Sequence, residues 1–177
     1  MPTSKKSAKS PAKKSLPSKK SITLPTLKPP RRAMFIDSTF FFPFESAIGY
    51  IDHFQDGRST KIANNALLAP ILLPVKSVIK SITIYYKNTT KEDMQVVVLK
   101  KHIDHHTYSG EVEVTIDSCP PGVLAPDNYL AKLIDHFDAG GLIKPNYLYY
   151  IEIGNTIRKN EATVRSVRGM RIEYTLP

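Results

Sequence analysis

Three copies of Ile-Asp-His stand at positions 51–53, 103–105 and 134–136, and two of them continue into phenylalanine. Aspartate and histidine ligate zinc, manganese or iron, and a β-sandwich can bring distant loops together. If the three units met in space, His53, His105 and His136 would form a metal site with carboxylate support. Two facts weigh against it. Adjacent residues on a strand point to opposite faces, so the Asp and His of one unit seldom serve one ion. Neither His-Glu-x-x-His nor Cys-x-x-Cys spacing is present. The sequence therefore predicts no metal site and no cofactor.

Nucleophile chemistry has less support. Cys119 precedes two prolines and has no basic neighbour in sequence, which describes an inert buried or loop thiol. There is no Gly-x-Ser-x-Gly elbow and no phosphate-cradling glycine loop. Glu111 and Glu113 fall on the outward side of an alternating segment, so a solvated face is expected rather than a hydrolase dyad. No catalytic residue is predicted, and the chain reads as non-enzymatic. Tyr85, Tyr86, Tyr147, Tyr149, Tyr150 and the run Phe40 to Phe42 offer a different chemistry, stacking on sugars or bases. Alternation sends about half of them into the core, and the chain has no tryptophan.

Charge divides the chain near residue 34. Residues 1–34 hold eight Lys and two Arg without an acid, while the rest holds 15 basic and 16 acidic groups. The pI of 9.6 thus describes a tail, not a body. That tail is Ser, Lys, Pro and Ala, a composition that predicts disorder. Its Lys9-Ser10-Pro11-Ala12-Lys13-Lys14 unit resembles the low-complexity tails of linker histones. Lys5, Lys6, Lys9, Lys13, Lys14, Lys19, Lys20, Lys28, Arg31 and Arg32 form an arm suited to a phosphate backbone without base readout. Late in the chain Arg165 and Arg171 would share an outward face and extend that positive field, unless Glu161 and Glu173 neutralise it.

These groups must be positioned by strands. Ile82, Ile84 and Tyr86 alternate with Thr83 and Tyr85, and Met94 to Leu99 is a second apolar run. The pair predicts a central antiparallel hairpin. Glu111 to Asp117 alternates, with Val112, Val114 and Ile116 expected inward. Asn128 to Phe137 is either a short helix or another strand. Tyr147, Tyr149, Ile151 and Ile153 share a face, and Gly154-Asn155 signals a turn. In the last strand Val164, Met170, Ile172 and Tyr174 would share a face only if Val167 sits out of phase with them, a one-residue slip that a bulge near Gly169 would absorb.

The expected fold is all-β, an antiparallel β-sandwich with a jelly roll favoured, at most one short helix, and a disordered basic tail in front. The division is a tail over 1–33 and a sandwich over 34–177. The leading functional reading is a structural protein whose sandwich self-associates and whose arm binds nucleic acid; it looks like a small viral coat protein. The alternative is a β-sandwich binding module for a protein or glycan, with the tail as linker or targeting signal. No apolar run spans a bilayer and no secretory signal is evident, so cytoplasm, nucleus or virion is expected.

Overall fold

A computed structural model describes residues 29–45, 47–53, 56–62, 65–103, 115–122, 129–160 and 163–177. Eleven strands build two antiparallel sheets. In sheet A, β1 (Arg31–Asp37) pairs with β11 (Thr163–Thr175), which pairs in turn with β6 (Val78–Asn88), and β6 pairs with β9 (Leu130–Ile134). The hairpin of β3 (Tyr50–His53) and β4 (Gly57–Thr60) joins this sheet where Arg58 faces Val167. In sheet B the order is β2 (Phe42–Pro43), β5 (Asn65–Ile71), β10 (Tyr147–Asn160), β7 (Met94–His102) and β8 (Thr115–Cys119). The all-β antiparallel sandwich expected from the sequence is what the chain forms.

The core lies between the sheets. Ile82, Ile84, Met170 and Ile172 from sheet A meet Leu67, Val96, Ile151 and Ile153 from sheet B, all fully buried. Period-2 alternation supplies this layer, because every second residue of each strand faces inward. Asp117 on β8 and Lys132 on β9 bridge the two sheets at 2.8 Å. Burial raises the Asp117 carboxyl's pKa, but the Lys132 ammonium and the Ser118 amide outweigh it and hold it below its ordinary value.

Three local expectations need correcting, and one left open is decided. β6 and β7 do not form a hairpin: β6 pairs with β11 and β9, whereas β7 pairs with β10 and β8. The connection between them crosses from one sheet to the other, which an apolar pattern alone cannot distinguish from a hairpin. Of the two options open for Asn128 to Phe137, the strand is the one formed: Leu130, Lys132 and Ile134 of β9 face Tyr86, Ile84 and Ile82 in register, while Asn128 lies outside the described residues. Gly154-Asn155 is not a turn but a bulge inside β10, where the register slips between Ile153 and Thr156 and Asn155 takes φ 60°. As far as Thr156, which faces Asn65 beyond the slip, β10 pairs in sheet B, and from Ile157 on it pairs with β11 in sheet A, so one strand serves both sheets. Finally, Ile116 points outward at 74% exposure while Thr115 and Cys119 take the inner side. Val112 and Val114 lie outside the described residues.

The bulge near Gly169 is present: Val167 faces Tyr86 and Gly169 faces Tyr85, leaving Arg168 as the extra residue. Val164, Val167, Met170 and Ile172 are all buried as a result. At the other end of the chain, β1 begins at Arg31, so Arg31, Arg32 and Ala33 belong to the sandwich rather than to the tail.

Candidate functional site

Local chemistry fixes a polar corner of the sandwich. Gly57 opens β4 at φ +85°, and an added Cβ there would collide with the Val167 carbonyl, so the hairpin of β3 and β4 can press directly on β11. That contact buries Asp56, Arg58, Ser59 and Thr60, four polar residues within five positions. Each is satisfied. The Asp56 carboxylate, 6% exposed, accepts from Lys87 at 2.7 Å and from Arg158 at 2.6 Å. Burial raises its pKa, but these two cations outweigh that effect and keep it below 3.8. Ser166 Oγ donates to the Asp56 carbonyl, and Thr60 Oγ1 donates to the Thr156 carbonyl.

Arg58 is the second hub. Its Nε and Nη2 donate to the two oxygens of Asp52 at 2.6 and 2.7 Å, and its Nη1 reaches the carbonyls of Thr39 and Phe41. The guanidinium lies 3.9 Å from the centre of the Tyr50 ring and 5.8 Å from that of Phe42. The Asp52 fork raises the Arg58 pKa further. The pair is asymmetric: the arginine side chain is 5% exposed and the carboxylate 48%. A buried fork thus orients a carboxylate that still faces solvent.

That carboxylate lines a cleft of about 530 Å³. One wall is the 3-10 turn Ser38–Phe40, capped by Asp37 Oδ1 accepting from the Thr39 amide at 3.0 Å. The other is Asp52, His53 and Gly57, and Arg168 closes one side. His53 Nδ1 lies 3.2 Å from Asp56. The cleft presents carboxylates, hydroxyls, an imidazole and a guanidinium within one small volume.

The residues singled out from sequence disperse. Only His53 of the three Ile-Asp-His histidines lies in the cleft. His136 sits exposed beside Asp135, and His105 lies outside the described residues. Among the described residues no group of three metal-ligating side chains converges. Cys119 is fully buried, and that burial pushes its thiol up to about 12. Arg165 is not outward but 4% exposed, its Nη1 donating to Glu92 at 2.5 Å, while Arg171 pairs with Glu173 at 2.9 Å. Neither extends the tail's field. Lys5 through Lys28 lie outside the described residues; Arg32 is exposed on β1, and Arg31 lies 3.6 Å from Glu173. Sequence reasoning missed Arg58, Asp37 and Arg168. The available signal was Asp56-Gly57, since a glycine beside small or polar residues permits close strand packing.

No protein-family model matches the chain, and no curated protein matches it. Three solved structures with similar folds are an exo-β-1,3-galactanase from Phanerochaete chrysosporium, a CBM36-1 domain of a multidomain xylanase from the hindgut metagenome of Trinervitermes trinervoides, and a CBM35 domain from Cellvibrio japonicus. Identities are 5%, 10% and 11%, and each TM-score is 0.48. Each alignment covers 80% of this chain, with 29% of the galactanase, 96% of the xylanase domain and 92% of the CBM35 domain. The chain therefore spans under a third of the galactanase. The reading of a self-associating coat protein with a nucleic-acid arm is withdrawn: it finds no support among these neighbours, two of which are carbohydrate-binding modules. No helix among the described residues is long and apolar enough to cross a membrane.

Proposed function

We propose that the folded body is a non-catalytic binding module for a glycan, taken in the cleft between the Ser38–Phe40 turn and the β3–β4 hairpin. The observation that carries the proposal is the oriented, half-exposed Asp52 carboxylate held by a buried Arg58 fork. A sugar offers vicinal hydroxyls that donate to a carboxylate and accept from an imidazole or guanidinium. Asp37, Asp52, His53 and Arg168 supply those groups around one volume. Pre-orientation matters because a carboxylate already fixed loses little freedom when the ligand arrives. The volume lies within the usual range for small-ligand sites, about 300–1,000 Å³.

A binding role fits this acid better than a catalytic one. Glycoside hydrolysis uses one carboxyl kept protonated near neutral pH. Asp56 instead is held ionised by Lys87 and Arg158. The basic tail then serves as a linker or targeting signal. Calorimetric titration of the full chain with a panel of neutral oligosaccharides tests the reading. Saturable binding that falls at least ten-fold in Asp52→Asn is expected; binding indifferent to Asp52→Asn and Asp37→Asn would remove the cleft from the account.

A further inference from the structure

The outer face of sheet A carries an aromatic strip that begins where the cleft ends. In register across the sheet, Asp37 of β1 faces Gly169 of β11, Gly169 faces Tyr85 of β6, and Tyr85 faces Ala131 of β9. Asp37 is also a wall of the cleft. Gly169 and Ala131 leave Tyr85 flanked by the two smallest residues. The Phe35 ring leans into the space above Gly169: a Cβ there would meet Phe35 Cζ at 2.9 Å and the Ile36 carbonyl at 2.8 Å. Phe35 and Tyr85 rings stand 6.1 Å apart, and Tyr85 meets Tyr129 edge-on at 5.8 Å. Arg168 lies 5.2 Å from the Tyr129 ring centre and also borders the cleft. It is the extra residue of the β11 bulge, a device that re-aims one side chain out of the ladder.

We infer that Phe35 and Tyr85 form a stacking subsite for a second sugar of the ligand whose first sugar occupies the cleft; this rests on the glycan reading of the cleft. Two observations support it. Phe35 keeps 58% of its surface exposed although its ring is fixed against a glycine, a placement that presents an apolar plate to solvent. The row from Asp37 to Tyr85 crosses two inter-strand spacings, about 10 Å, which suits an oligosaccharide of at least two units. Polar groups at one end take hydroxyls, and aromatic faces at the other take the apolar face of a pyranose ring. The ligand class is therefore a neutral oligosaccharide rather than a monosaccharide.

The test uses the full chain and β-1,4-xylose and β-1,3-galactose oligomers of one to six units, read by calorimetry and by tyrosine fluorescence. The chain has nine tyrosines and no tryptophan, so stacking on Tyr85 is read without an indole background. Affinity is expected to rise about ten-fold between one and three units, on the scale of one aromatic stack. Tyr85→Ala and Phe35→Ala should each abolish that rise while leaving monosaccharide affinity and the circular dichroism spectrum unchanged, and Tyr85→Phe should keep it. If oligomers bind equally well to wild type and to both alanine variants, while Asp52→Asn still abolishes binding, the subsite is wrong and the cleft stands. If no oligomer binds the wild-type chain, the cleft reading falls and the subsite falls with it.

Discussion

The two outer faces of the sandwich differ sharply although the strands behind them follow the same alternation. Sheet A presents Phe35, Arg171, Thr83 and Leu133 in one row and Asp37, Gly169, Tyr85 and Ala131 in the next. Sheet B presents Phe42, Leu68, Glu152, Val97 and Ile116 in a single row across all five strands. The first face mixes charge, small residues and rings. The row on the second is apolar except for one carboxylate in its middle. An exposed apolar residue is ordinary, but a row of them across a sheet is not neutral in effect.

The carboxylates of the two regions show what the difference means physically. Asp56, beside the cleft, is more buried yet ionised, because Lys87 and Arg158 compensate its lost hydration. Among the described residues no hydrogen bond or ion pair reaches Glu152, and its partial burial raises its pKa. Burial alone does not set protonation; the partners do. The polar corner is built as a closed network, whereas Glu152 is tolerated at a cost.

The largest expected effect would break the polar corner. Asp56→Ala leaves Lys87 and Arg158 facing each other without their anion, and removing one partner of a buried ion pair typically costs about 3–5 kcal/mol. Urea denaturation should show the midpoint falling accordingly. The wild-type contribution has a sign in pH as well. Since the folded-state pKa of Asp56 is below 3.8, its stabilisation is complete above that value and is lost as pH falls through the lower folded pKa.

Glu152→Gln should act the other way. The folded-state pKa lies above 4.5, so the folded chain holds this proton more tightly than the unfolded chain. Stability from this group is therefore present below pH 4.5 and is lost as pH rises through the folded pKa. Glutamine should raise the thermal midpoint at pH 7 by a degree or more, and the difference should vanish near pH 4. A variant less stable than wild type at pH 7 would contradict the contrast between the two carboxylates.

The smallest stability effect is expected for Ile116→Lys, because an outward residue on an edge strand changes stability by only about 0.5 kcal/mol. Its visible consequence should be reduced binding of a hydrophobic dye, since the lysine interrupts the apolar row of sheet B. Dye binding that stays constant in Ile116→Lys but falls in Phe35→Ala would assign the dominant apolar surface to sheet A instead.

The layer of the core was legible in sequence because strand periodicity encodes it directly. Ile82, Ile84 and Tyr86 face inward as their spacing demands, and the misfit between Val167 and Met170 pointed to a bulge near Gly169, whose extra residue is Arg168. Pairing was not legible. A hairpin and a crossing between sheets demand the same two apolar runs, so the pattern suggests β6 and β7 as partners although β6 pairs with β9 and β11, and β7 with β8 and β10. Asn155 adopts φ 60° both in a turn and in a bulge, so Gly154-Asn155 could not reveal that β10 continues. The cleft was harder still. Its groups come from the β1 end, the β3–β4 hairpin and the β11 bulge, and each looks ordinary until Arg58 is seen to orient Asp52.

Chemical-shift mapping on the isotopically labelled chain with a neutral oligosaccharide tests the central claim most directly. The account predicts perturbed amides at Thr39, Asp52, His53 and Gly57, extending to Gly169 and Tyr85, with Val97 and Ile116 unmoved. Shifts centred on Val97, Ile116 and Glu152, with the cleft silent, would place the binding face on the opposite sheet and contradict it.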